Sequence, residues 1–293
     1  MSKKLIRFDW AVKRLLRNKA NFVVLEGFLS ELLFDTIRIE RILESESNQD
    51  SDDDKFNRVD ILTQNSNNEL IIIEIQNTYE IDYFQRMNYG AAKAISENLT
   101  LGQPYSDVKK IISINIVYFD LGQGKDYIYK GGVQFEGIHK KDILQLSPKQ
   151  KSEFQKKRVA DIFPEYYLIK VNKFDDEAKD TLDEWVYFFK NSEVKDEFRA
   201  KGLKEAQEVL DIMRLSKEQQ YGYNRFLDSL HLKASEAYTL KAEKEYLIKQ
   251  AQLNAKRKAE TQIAKNLIKL GLDDALIMQA TGLSLEQVQA LRP

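Results

Sequence analysis

The chain has 293 residues, of which 43% are hydrophobic and 31% are charged, and its formal net charge is −1. These values are typical of a globular chain that contains one large domain with an appendage, or two domains. No apolar run approaches the roughly 20 residues of a membrane-spanning helix, because the longest aliphatic stretch covers only residues 70–73. With no cysteine and two histidines, disulfide frameworks, thiolate zinc sites and His-rich metal clusters are excluded. Any metal must therefore be held mainly by oxygen.

The distribution of charge and the N-terminal segment bear on the partner and on the cellular location. Neither half of the chain is globally basic, so bulk electrostatics gives no support for a nucleic-acid partner, although a local basic face is compatible with the sequence. Arg7 and Asp9 interrupt the N-terminal segment before an apolar core develops. We therefore expect no secretory signal, no membrane association and a cytoplasmic location.

The first 175 residues alternate between helical and extended patterns. Residues 9–42 predict two helices with a break near 18–21, and residues 44–55 predict a polar, acidic, solvated loop. Residues 58–76 predict a β-hairpin whose second strand is deeply buried, and residues 79–99 predict a helix. Further strands are expected at 110–120, 127–135 and 166–171, with a basic helical stretch at 149–158. The sequence thus predicts a mixed α/β domain.

The remainder of the chain predicts only helices. Beyond residue 175 there is no proline before Pro293, and residues 199–262 form a charged helical arm. The last thirty residues predict a helix–turn–helix, with Gly282 as a left-handed cap and Ser284 with Gln287 at capping-box spacing. Such an element can enter a major groove. A small helical cap or oligomerisation hook is an equally good interpretation, because the last helix carries little basic charge.

Polar residues on the buried strand of the hairpin are the main candidates for chemistry. Alternation along a strand places Glu74 and Gln76 on the face of Ile72. If the turn is centred on Asn67, residues whose numbers sum to 134 face each other, which places Asp60 opposite Glu74. Two opposed carboxylates are destabilising unless a cation lies between them.

Either a metal ion or a basic side chain could lie between the two carboxylates, and the hairpin alone does not decide between them. A hard divalent ion such as Mg²⁺ takes oxygen ligands of this kind. Alternatively, Arg58 or Lys55 forms a salt-bridge network with the two acids.

A family resemblance rests on the order of several motifs. The runs FNRVDIL at 56–62 and ELIIIEIQ at 69–76 strongly resemble the PD-(D/E)XK nuclease superfamily, and within it the Rpn family of recombination-promoting nucleases and transposases. The segments DWAVKRLL at 9–16, LEGFL at 25–29 and YFQRMNY at 83–89 also fit that family's arrangement. The resemblance implies a nuclease-like mixed sheet flanked by helices over residues 1–190. A helical arm at 191–262 and a helix–turn–helix-like element at 263–293 would complete an all-helical C-terminal region.

The resemblance also implies a magnesium-dependent DNA endonuclease, with Mn²⁺ as a substitute metal. Asp60 and Glu74 would hold the metal, and Gln76 would replace the usual lysine and orient the attacking water. Glu26 is the candidate for the additional acid that the superfamily often places on its first helix, with Glu31 and Asp9 as competitors. For each of the three, a solvent-facing helix acid is the alternative interpretation.

The helix that follows the hairpin offers two candidate DNA contacts. Arg86 and Tyr89 lie one turn apart, where the guanidinium could reach a phosphate. A salt bridge and a core aromatic are the alternatives for these two residues. A homodimer through the helical C-terminal region is one option for cutting both strands. The alternative function is an inactive nuclease fold that serves as a DNA-binding or assembly module.

Overall fold

A computed structural model describes residues 5–14, 16, 18–43 and 60–292. It divides into two compact units, Met1–Gln220 and Tyr221–Pro293. The predicted loop at 44–55, the first residues of the FNRVDIL motif, and the proposed partners Lys55 and Arg58 lie outside the described residues. Within the described residues, no helix combines the length and apolar character needed to cross a membrane.

The first unit is built on a six-stranded mixed sheet, which confirms the predicted fold class. The order of the strands across the sheet is β1-β2-β3-β4-β6-β5. Strands β1, β2 and β3 pair antiparallel, β3, β4 and β6 pair parallel, and β5 is antiparallel to β6. The strands are β1 (Ile39–Leu43), β2 (Ile61–Asn65), β3 (Leu70–Gln76), β4 (Ile111–Val117), β5 (Ile128–Gly131) and β6 (Glu165–Lys170).

Central strands β3 and β4 are buried on both faces, as their nearly continuous isoleucine runs predict. Helix α3 (Tyr83–Glu97) covers one face, where its Ala91 and Ala94 pack against Ile72. Isoleucines 71, 73 and 75 point to the other face and are also buried. The site described below lies on the α3 face.

An aromatic cluster joins the N-terminal helices to the helix that follows the sheet. Helices α1 (Phe8–Arg14) and α2 (Phe22–Leu33) meet α5 (Thr181–Asn191). Phe8 and Phe28 pack on Phe189 with ring centroids 4.4 and 4.9 Å apart, and Trp185 lies against both Phe8 and Phe28. This packing accounts for the aromatic run in α5. The short helices α4 (Pro148–Phe154) and α6 (Leu203–Val209) complete the unit.

The prediction of helix up to residue 42 is wrong at its C-terminal end. Helix α2 ends at Leu33 because Phe34 adopts a left-handed conformation, and Ile39–Leu43 forms the edge strand β1. The β-branched residues Ile39 and Ile42 suit a strand. The break near 18–21 is confirmed, because a 3-10 turn (Lys19–Asn21) separates α1 from α2.

The second unit consists of helices. Helix α7 (Lys217–Lys269) is followed by α8 (Asp274–Thr281) and α9 (Leu285–Gln289). Gly282 adopts the predicted left-handed cap, and Ser284 forms the predicted capping box with Gln287. A small core of Ala264, Ile277 and Val288, with one residue from each helix, holds the three helices together.

Candidate active site

The hairpin β2–β3 has the register that the sequence predicted. Leu62 is paired with Ile72 and Ile61 with Ile73, so paired numbers sum to 134. The next position places Asp60, just before β2, across from Glu74. Asp60 turns back onto β3, where its Oδ2 accepts a hydrogen bond from the backbone N–H of Ile75 at 2.7 Å. The two acids therefore lie at the same end of the hairpin.

Glu74 is an acid in a largely apolar setting. Only 7% of the residue is exposed, and it lies on the face covered by α3. Its Oε2 has two long contacts, with Arg86 Nε and with the hydroxyl of Tyr83, both at 3.5 Å. These lengths are at the outer limit for hydrogen bonds, so the contacts compensate the buried charge only weakly.

The electrostatics of Glu74 follow from this setting. Burial is the largest cause that raises the pKa of the Glu74 carboxyl; Arg86 opposes the rise, Asp60 adds to it, and the resulting pKa is about 7. Burial and Glu74 together raise the pKa of the Tyr83 hydroxyl, so Tyr83 stays protonated and donates. A cation placed between Asp60 and Glu74 would favour the ionised carboxylate.

Gln76 is held by a residue that sequence reasoning missed. Its amide nitrogen donates to Glu80, in the turn before α3. Glu80 also accepts two hydrogen bonds from Arg86 Nη1, at 3.0 and 3.1 Å. Burial alone would lower the pKa of Arg86, but Glu74 and Glu80 raise it. Glu80 thus fixes both Gln76 and Arg86. No periodic pattern marks Glu80, because it lies in an irregular turn.

The two residues singled out on α3 have different surroundings. Arg86 forms the salt bridges with Glu74 and Glu80 that its alternative interpretation predicted. Its side chain keeps 28% exposure. Tyr89 is 52% exposed, which argues against the core aromatic interpretation. A phosphate contact by either residue stays a prediction.

Glu26 lies apart from the two acids. Its carboxylate accepts from the N–H of Ile39 at 2.8 Å and from Arg38 Nη1 at 2.9 Å. Ile39 pairs with Asn65, at the turn end of the hairpin, whereas Asp60 lies at the opposite end, about 16 Å away at the rise of a strand. The structure therefore does not bring Glu26 together with Asp60 and Glu74.

The competitors of Glu26 have structural partners of their own. Glu31 accepts from the Thr181 hydroxyl and from the N–H of Lys201. Asp9 is 2% exposed and accepts from Arg7 and from the amide of Asn77, each at 2.9 Å. Because Asn77 directly follows Gln76, Asp9 lies at the same end of β3 as the candidate site.

The donor set fits a hard divalent cation. Within the described part of the chain, no group of three or more His, Cys, Asp and Glu side chains forms a ready-made metal cage. Mg²⁺, however, is commonly bound through one or two carboxylates plus substrate phosphates. Asp60 and Glu74 supply two carboxylates, and Gln76 supplies an amide oxygen opposite the nitrogen that Glu80 holds.

The fold and the paired acids at the end of β2–β3 define a nuclease-like protein, and comparison with protein families agrees. Residues 6–237 match the model described as PD-(D/E)XK nuclease family transposase, so the chain belongs to this family. Residues 257–293 match the Rpn/YhgA-like nuclease family, C-terminal HTH domain, which confirms the predicted Rpn relationship. Comparison with curated proteins and with solved structures gave no match.

Proposed function

We propose that this protein is a divalent-metal-dependent DNA endonuclease that hydrolyses phosphodiester bonds at Asp60 and Glu74. The observation that carries the proposal is the placement of two carboxylates at one end of a buried hairpin, with one described cation, Arg86, 3.5 Å from Glu74. A fold rarely retains such a poorly compensated acid unless a ligand completes the site.

We assign metal binding, orientation of water and phosphate contact to different residues. Asp60 and Glu74 would hold Mg²⁺ or Mn²⁺, which when bound polarises a phosphoryl oxygen and lowers the pKa of water. Gln76, fixed through its nitrogen by Glu80, keeps its carbonyl oxygen available to orient the attacking water. Arg86, whose side chain is 28% exposed, would contact the phosphate.

The helix–turn–helix supports DNA as the substrate. Its last helix α9 carries Glu286, Gln287 and Gln289, and the nearby Arg292 is bound to Asp274. Lys258, Lys265 and Lys269 recur at helical spacing on α7 and are exposed. We therefore assign phosphate contacts to α7 rather than to α9.

We further propose that the protein forms a homodimer through α7. Leu240 and Leu247 lie seven residues apart on α7, and each is about two-thirds exposed. A second copy that covers this face would give a dimer with two active sites. Light scattering should then give twice the mass of one chain. The double variant Leu240→Gln/Leu247→Gln should have the mass of a single chain.

The alternative is an inactive fold that only binds DNA, and the salt bridge between Arg86 and Glu74 favours it. In that case Arg86 is the permanent partner of Glu74 and no metal enters. The two functions differ in a cleavage assay.

The test is relaxation and linearisation of supercoiled plasmid with Mg²⁺, Mn²⁺ or EDTA. We expect metal-dependent cutting by the wild type and a loss of about 1,000-fold or more in Asp60→Asn and Glu74→Gln, because a catalytic metal contributes several kcal/mol. The matched control is Glu97→Gln, an acid on α3 that is bound to Lys93. Equal cutting by all proteins would place the activity elsewhere. DNA binding without cutting would support the inactive module.

A further inference from the structure

A cavity of about 310 Å³ lies between α3 and the strands β5 and β6, on the same face of the sheet as Glu74. We call it the aromatic pocket. Its lining includes Phe84, Asn88, Tyr129, Tyr166 and Leu168. No step of the proposed mechanism uses these residues.

The walls of the aromatic pocket are held in place by the surrounding structure. The hydroxyl of Tyr129 accepts a hydrogen bond from the N–H of Asp126 at 2.9 Å. The hydroxyl of Tyr166 donates to Asn88 Oδ1 at 3.4 Å. Phe84 is 50% exposed, although Gly122 lies close behind its ring. Hydrogen bonds thus anchor Tyr129 and Tyr166, and the half-exposed Phe84 is accessible to a ligand.

The side chains that line the aromatic pocket favour a planar heteroaromatic ligand. Phe84, Tyr129 and Tyr166 bring three aromatic rings to the lining, and any nucleobase can stack on an aromatic ring. Because Asn88 Oδ1 already accepts from Tyr166, the amide nitrogen of Asn88 is the atom that can donate to an acceptor on the edge of a base. A purely aliphatic ligand offers no such acceptor. The combination of ring faces and one amide fits a nucleobase.

The position of the pocket relative to the acids fits a DNA strand. Glu74, Asn115 and Leu168 form one row across β3, β4 and β6. Because neighbouring strands are about 4.8 Å apart, Leu168 lies about 10 Å from Glu74 along this row. This distance corresponds to about three stacked nucleotides of one strand.

We propose that the aromatic pocket binds an unpaired nucleobase of the DNA substrate, so that the enzyme acts on single-stranded or locally unpaired DNA. The inference rests on the proposed function for the location of the scissile phosphate. A paired base must leave its stack before it enters such a pocket, whereas an unpaired base has little stacking to lose.

The test is the affinity for a fluorescent single-stranded oligonucleotide and for the matching duplex, measured by anisotropy in EDTA at a fixed 0.1 M salt. Phe84→Ala should weaken single-strand binding about 5- to 100-fold, the range for loss of one stacking ring. Tyr166→Phe keeps the ring and should retain binding. The matched control is Tyr105→Ala, which removes an 89% exposed aromatic residue outside the pocket lining.

The outcomes separate this proposal from the proposed function. Wild-type preference for the single strand, lost in Phe84→Ala and kept in Tyr105→Ala, supports the pocket. Equal affinity of Phe84→Ala and wild type, or no single-strand binding, overturns it. If the plasmid is cut in a Glu74-dependent manner while Phe84→Ala binds normally, only the pocket proposal fails. If Phe84→Ala loses binding and no variant cuts, only the nuclease proposal fails.

Discussion

Two glutamates on opposite faces of the same sheet have opposite electrostatic surroundings. Glu74 on β3 faces α3, with Arg86 and the hydroxyl of Tyr83 each 3.5 Å away. Glu165 on β6 points to the other face and binds Lys110 at 2.7 Å, Lys130, and the hydroxyl of Tyr167 at 2.7 Å.

The pKa values of the two carboxyls diverge accordingly. Burial raises the pKa of Glu74 to about 7. Burial also disfavours ionised Glu165, but Lys110, Lys130 and Tyr167 outweigh it and lower the pKa of Glu165 to about 2. Glu165 is therefore closely compensated by two lysines and a hydroxyl, whereas the contacts of Glu74 are long. Burial alone does not set the pKa of an acid; the distance to its compensating groups decides the direction of the shift.

The largest difference between the two glutamates is expected in how Glu74 makes the free energy of unfolding depend on pH. Because folding raises the pKa of this acid, its ionised form destabilises the folded state. The cost is absent below about pH 4.5, grows up to about pH 7 and is complete above it, at about 3 kcal/mol. Glu74→Gln should thus gain about 3 kcal/mol relative to the wild type between pH 4.5 and 8, measured by urea unfolding. If the difference in the free energy of unfolding between Glu74→Gln and the wild type did not change with pH, the raised pKa of Glu74 would be contradicted.

The corresponding change at Glu165 should have the opposite sign. Its lowered pKa stabilises the folded state above about pH 4.5, and this contribution disappears as the pH falls towards 2. Because solvent reaches Lys130 and screens the cluster, we expect Glu165→Gln to lose about 1–2 kcal/mol at pH 7. The same urea series measures it. Unchanged stability would show that the two lysines do not need this carboxylate.

A smaller effect is expected from a new cation at residue 76. In Gln76→Lys the ammonium would meet Glu80, which now accepts from the Gln76 amide, and would lie on the face of Glu74. We expect the pKa of Glu74 to fall by about one unit, so that metal-dependent cleavage reaches its plateau at a lower pH. Gln76→Met is the uncharged control of similar length. Identical pH profiles for the two variants would contradict the expected effect.

The sequence predicted the hairpin well because its signals are local. The polar turn and the alternation of Ile72, Glu74 and Gln76 determine the register, and the structure pairs Leu62 with Ile72 accordingly. The edge strand Ile39–Leu43 was missed because it depends on distant partners, namely the Glu26 carboxylate and strand β2. Pairing with β2 overrides a helical pattern in such a short segment.

The candidate site was only partly predictable for the same reason. Asp60 and Glu74 follow from strand alternation, whereas Glu80 comes from a turn whose geometry only the fold defines. Arg86 could be placed on a helix, but its choice of Glu74 and Glu80 as partners depends on how α3 packs over β3. Contacts between elements, rather than patterns within them, decide these roles.

Calorimetric titration of Mn²⁺ into the wild type, Glu74→Gln and Glu165→Gln at pH 8, where Glu74 is ionised, tests whether Glu74 holds a divalent cation. We expect the wild type and Glu165→Gln to bind Mn²⁺ with similar affinity, and Glu74→Gln to bind it at least tenfold more weakly. Equal binding in all three proteins, or none in the wild type, would contradict the claim that the weakly compensated Glu74 holds a divalent cation.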